Sequence, residues 1–189
     1  MSQQERALLL SVRPRFAESI MDGSKVAEIR RQCPNIAAGT PVIIYATLPV
    51  AAVVGSARLG EVHCGRPDEM WSDYQDFMGV TRAEFDQYLA GAEAAHVLML
   101  TDVQRLETPL ALSRMREISN FHPPRSYRYL SRASLSVLVD GHPSSDFLLS
   151  LLPSVQPYSA EDHFESSSFT AESGLFLSSV GASGTMALA

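Results

Sequence analysis

Lysine is almost missing from this chain: of its 15 basic residues 14 are arginine, and Lys25 stands alone. Cysteine is scarce too. Cys33 and Cys64 lie 31 positions apart with no CxxC pair and no second ligand cluster, which argues against a disulfide framework or a zinc site and for reduced thiols. The apolar run near the start is cut off at Arg13 and is too short for a signal peptide or a membrane span. A cytoplasmic protein with no membrane association is the expectation. The chain also lacks a GxSxG elbow, an HExxH pair, a phosphate-cradling glycine loop and a dinucleotide fingerprint, so no cofactor and no metal is expected.

What is present suffices for one domain with a continuous core: 189 residues, 46% of them hydrophobic. The net charge of -6, taken whole, argues against a nucleic-acid partner, whose footprint is a basic surface. Its distribution reverses that argument. Residues 1–132 carry all 15 bases and 15 acids, whereas residues 133–189 carry the other six acids, 14 serines and no base. The composition sets residues 133–189 apart from the domain before them as a largely disordered extension, with a helical turn or two between Asp146 and Leu152.

Within the domain, Ala7 to Val12 reads as a buried strand and Pro14 opens a brief helix that Gly23 stops. A strand follows over Lys25 to Cys33, then another from Val42 to Ala46. A long β-rich run spans Ala51 to Cys64, where Gly55 and Gly60 signal bulges or sharp coiling. Two helices follow. Met70, Trp71, Tyr74, Phe77 and Met78 form the apolar stripe of the first, and a Thr81–Glu84 capping box starts the second. His96 to Leu106 returns to strand, Leu110 to Ile118 to helix, and Phe121-His122-Pro123-Pro124 begins a stiff loop. The pattern is that of an α+β barrel with peripheral helices.

Two constellations carry chemistry. Lys25, Glu28, Arg30 and Arg31 crowd one strand, where alternation puts Glu28 and Arg30 on one face and Lys25, Ala27, Ile29 and Arg31 on the other. Two readings stand. One is a Glu28–Arg30 pair on a solvated strand, worth only ~0–1 kcal/mol. The other is a cleft in which Lys25 and the arginines donate to a phosphate or base edge and Glu28 accepts. The second constellation, Arg125-Ser126-Tyr127-Arg128-Tyr129, alternates cations with stacking faces as single-stranded nucleic acid prefers, or is the core side of a last strand. His63-Cys64 is a poor thiol–imidazole dyad because adjacent strand residues face opposite ways. Trp71 reads as core, and His122 as an incidental loop residue.

The segments ALLLSVRPRFAESIMDGSKVAEIRR, PVIIYATLP, VVGSARLGEV and FHPPRSYRYL, in that order, resemble the ASCH domain family over roughly residues 7–132. Its Gly-x-Lys-x-x-Glu-x-Arg motif falls at Gly23, Lys25, Glu28 and Arg30. The resemblance implies a small PUA-like β-barrel that binds RNA or a modified nucleoside in a cleft lined by Lys25, Glu28 and Arg30. Arg13, Arg58, Arg125, Tyr127 and Arg128 are expected beside them. Some relatives hydrolyse acetylcytidine with a lysine, a threonine three positions later and a distant glutamate. Here Glu28 stands where that threonine would be, and a carboxylate cannot replay hydroxyl acyl transfer. Glu61 is the candidate second carboxylate for such hydrolysis; other members are reported as nucleases, which implies Glu28 as general base and Lys25 or an arginine as electrostatic stabiliser. Binding without chemistry is the first expectation, hydrolysis of an acylated nucleoside or RNA the second, and a regulatory partner-binding module the third. Oligomeric state is left open.

Overall fold

The apolar run near the start becomes strand β1 (Arg6–Val12) in the computed structural model, which describes residues 6–153. Both of its faces are buried, which is why the run is nearly unbroken. Ala7 and Leu9 enter one core, while Leu8, Leu10 and Val12 enter a second. Strand β3 (Pro41–Ala46), parallel to β1, divides the same way: Ile43 and Tyr45 to the first core, Val42, Ile44 and Ala46 to the second. Between these strands the chain makes helix α1 (Pro14–Met21), with proline in its first turn, and strand β2 (Ala27–Arg30).

Strand β4 (Ala52–Gly65) pairs with β3 and with the long β5 (Ala95–Ala111). Helices α2 (Pro67–Met78) and α3 (Arg82–Leu89) connect β4 to β5, and Thr81 and Glu84 form the capping box their spacing predicts. Helix α4 (Leu112–Ile118) and strand β6 (Tyr127–Ser131) follow. The result is an α+β fold around one six-stranded sheet of order β2-β5-β4-β3-β1-β6, antiparallel except between β1 and β3. A third core lies between β2, β5 and the helices α2 and α3, with Ala27, Ile29, Met78 and Phe85 in it.

Two expectations need correction. The strand predicted over Lys25 to Cys33 is only Ala27–Arg30. Of the two readings of the Arg125–Tyr129 segment the last strand holds: Tyr127–Ser131 is β6, antiparallel to β1, with Arg125 and Ser126 just before it. The folded part also runs past residue 132, through two helices. Helices α5 (Arg132–Leu138) and α6 (Ser145–Ser150) place Leu135, Leu138, Val139, Leu148 and Leu152 in the first core. Serine and the lack of bases read as disorder, yet a few leucines at helical spacing suffice to cover the outer face of β1 and β3. Arg132 fastens them by donating to the carbonyls of Leu149 and Leu152. The rest of the predicted extension, 154–189, lies outside the described residues. No helix among the described residues is long and apolar enough to cross a membrane.

The glycines of β4 do what their placement predicts. Pairing between β4 and β5 shifts register between Val53 and Gly55 and again between Leu59 and Val62, around Gly60. Gly55 also lets α1 settle on the sheet, because a Cβ there would collide with the Met21 side chain and lie 2.6 Å from the Gln104 carbonyl. Gly55→Ala is expected to lower stability by about 1–3 kcal/mol, the range for overpacking. Gly60→Ala, whose nearest contact would be 3.4 Å, should be tolerated better. Urea denaturation of both variants checks the contrast.

Candidate nucleic-acid interface

Gly23, at φ 81°, turns the chain out of α1, and Lys25 falls in the connection before β2 rather than on the strand. Strand alternation therefore stops at Ala27, and Lys25 joins Glu28 instead of facing away from it. An ammonium has three N–H donors. Those of Lys25 are matched by three acceptors: the Ala27 carbonyl at 2.7 Å, the Met78 carbonyl, and Glu28 Oε2 at 3.2 Å. Met78 is the last residue of α2, where orphan carbonyls and the negative end of the helix dipole favour a cation.

Glu28 is shared. Its Oε1 accepts from Arg30 Nη2 at 2.9 Å, and Arg30 also donates to the Ser11 carbonyl at 3.0 Å and Ser126 Oγ at 3.1 Å. Ser11 in turn receives backbone and side-chain ties: its N–H reaches the Ser126 carbonyl at 2.9 Å and its Oγ the Pro124 carbonyl at 2.8 Å. Arg30 thus links β2, one end of the sheet, to β1 and the segment entering β6 at the other end, with no ladder between those ends. Lys25, Glu28 and Arg30 are only 1%, 7% and 6% exposed. The Glu28–Arg30 pair exists, but it is buried rather than solvated. The Arg30 Nε is buried without a hydrogen-bond partner.

Beside this group opens a cleft of about 660 Å³. Ser11, Arg13, Arg15 and Phe16 form one wall, Glu84, Phe85, Gln87 and Tyr88 of α3 the other, and Thr47 and Arg125 complete it. Five cationic side chains face two carboxylates there, in a chain of net charge -6. Arg13 and Arg125 are exposed and have no side-chain partner among the described residues. Arg15 pairs with Glu84, whose carboxyl the Thr81 backbone N–H, and then Arg15, hold below the usual range.

Of the residues expected in the site, Arg13, Lys25, Glu28, Arg30 and Arg125 come together and Arg58, Tyr127 and Arg128 do not line the cleft. Arg58 donates to the Gly39 carbonyl. Arg128 donates to the His122 carbonyl and lies over the Phe121 ring. Tyr127 packs on the second core, 6.1 Å from Tyr129, and burial raises its phenol. Glu61 is exposed and pairs with His63 at 3.3 Å, away from the cleft. Trp71 packs edge-on against Phe85 in the third core. Sequence reasoning missed Ser11, Arg15, Phe16, Thr47, Gln87 and Tyr88 as parts of the cleft. Glu84 alone carried a signal, as a helix cap.

Removing one partner of a buried ion pair costs about 3–5 kcal/mol when a charge is left uncompensated. Glu28→Gln strands two cations, whereas Lys25→Met leaves Glu28 and Arg30 paired. Thermal denaturation is expected to find Glu28→Gln the less stable variant, and the reverse order would contradict this account of the group.

Residues 7–120 match a family model described as "Domain of unknown function (DUF365)". The chain is 34% identical over 132 residues to the ASCH domain-containing ribonuclease of Zymomonas mobilis, covering 69% of this chain and 88% of that protein. A crystal structure of ASCH from Zymomonas mobilis matches with a TM-score of 0.67 at 32% identity, covering 73% of this chain and 95% of that one. A serine-to-alanine mutant of the Zymomonas mobilis protein also gives a TM-score of 0.67, at 28% identity, covering 81% of this chain and 100% of that one.

Proposed function

The chain belongs to the ASCH domain family, and from that premise we propose that its cleft binds RNA, with Arg13 and Arg125 contacting phosphates and Arg30 donating from the floor. The observation that carries this reading is the pair of guanidinium groups, Arg13 and Arg125, that have no partner among the described residues, beside a buried group with one net positive charge. A guanidinium presents a planar fork that fits phosphate oxygens, and Arg30 lines the same cleft. Lys25 contributes its field and holds Glu28, its own donors being matched within the protein. A modified nucleoside is a smaller ligand for the same donors.

Fluorescence anisotropy with a labelled single-stranded RNA ten-mer tests the reading. Arg13→Ala and Arg125→Ala should each weaken binding and flatten the dependence of log K on log salt by about 0.7, one phosphate contact on a single strand. Unchanged affinity and slope in both variants would overturn it.

A second reading, strand scission, is favoured by the name of the Zymomonas mobilis relative, a ribonuclease. The RNA 2′-oxygen would attack the adjacent phosphorus and the bond to the 5′-oxygen would break, leaving a 2′,3′-cyclic phosphate and a 5′-hydroxyl. Glu28 keeps lone pairs beyond the two occupied by Lys25 and Arg30 and would take the 2′-hydroxyl proton, while water protonates the leaving oxygen. The nearby cations would stabilise the charged phosphorane. Incubating RNA with the wild type and with Glu28→Gln, both below their melting temperatures, should yield cyclic-phosphate ends from the wild type alone. Equal yields would dismiss scission. Acetylcytidine as a parallel substrate tests amide hydrolysis.

A further inference from the structure

Two of the cations at the cleft, Arg13 and Arg125, have no side-chain partner among the described residues, but Arg15 has one. Arg15, at the start of α1, pairs with Glu84 Oε1 on α3, 69 residues away, and both residues line the cleft. The pair is a strap between the two walls. Its side chains are 54% and 34% exposed, so solvent screens it and exchange of partners is easy. Glu84 has a second attachment. Its Oε2 accepts the Thr81 backbone N–H at 3.0 Å and the Thr81 hydroxyl at 3.1 Å. If Arg15 leaves, that carboxylate still caps α3 and keeps hydrogen-bond partners. Arg15 has a position of its own as well, with its guanidinium 4.3 Å from the centre of the Phe16 ring.

We propose that Arg15 is a further phosphate-binding residue of the cleft, held by Glu84 in the free protein and handed to a phosphodiester oxygen when an RNA strand enters. The inference rests on the RNA-binding reading above. The exchange trades one charge-assisted hydrogen bond for another, and phosphate accepts the guanidinium fork as a carboxylate does. It also confers selectivity: a ligand without a phosphate within reach leaves the strap in place, whereas a polyanion opens it. The cleft then discriminates a strand from a free nucleoside by what it does to Arg15.

The test is a double-mutant cycle on Arg15 and Glu84, read by anisotropy with the labelled single-stranded RNA ten-mer. Glu84→Gln keeps an oxygen for the Thr81 N–H, as a capping box permits, but releases Arg15. It is expected to tighten binding about two- to fivefold, the range set by an exposed ion pair. Arg15→Ala should weaken binding and flatten the salt dependence by about 0.7. In the Arg15→Ala background, Glu84→Gln should gain nothing, because its effect passes through Arg15. A gain of the same size in both backgrounds would assign it to general charge removal and overturn the strap, as would Arg15→Ala binding like the wild type. Either result leaves the RNA reading standing if the wild type still binds with Arg13- and Arg125-dependent salt sensitivity. No binding by the wild type overturns both.

Discussion

Three parts of the chain are positioned by one carboxylate. Glu28 lies between Lys25 and Arg30, and each cation reaches beyond it, Lys25 to the last carbonyl of α2 and Arg30 to β1 and Ser126. A buried group of this kind is a weak source of net stability, because desolvating three charges costs about as much as their attraction returns. Its value is positional. The two end strands of the sheet share no ladder, so the Arg30 side chain is the connection between them described at this point, and the cleft floor exists only where that connection is made.

The electrostatics follow from the same placement. An acidic chain presents a cationic cleft because all but two of its described carboxylates lie outside the cleft lining, some of them paired on the surface as in Glu18 with Arg105 or Asp86 with Arg82. The cleft carboxylates are both engaged by cations. Low-dielectric walls around such a concentration of one sign focus its field outward, which favours encounter with an anionic strand more than the whole-chain charge suggests.

How much of this was legible depended on whether local rules decided the outcome. Periodicity and caps placed β1, α1, β3, α2 and α3 closely, because each is set by neighbours a few residues away: Pro14 and Gly23 bound one helix, Thr81 and Glu84 start another. The glycine interruptions of β4 were legible for the same reason. Lys25 was legible as a site residue but not in its orientation, since alternation assumes a strand and the strand begins at Ala27. Charge and serine content hid α5 and α6, whose few leucines matter only once the outer face of β1 and β3 is there to receive them. Partners such as Arg15 and Glu84, or Arg30 and Ser126, are set by tertiary approach and leave no spacing to read.

The link from Arg30 to Ser126 also has a duration. Its donor and acceptor are 96 residues apart in the chain, and at a synthesis rate of roughly 5–20 residues per second the second emerges roughly 5–20 s after the first. Through that interval a growing chain holds Glu28 and Arg30 without the segment that completes their surroundings, and β1 waits longer still for β6. The cleft is therefore a late product of synthesis. A ribosome-bound fragment ending before residue 126 carries most of the arginines of this site yet cannot assemble its floor.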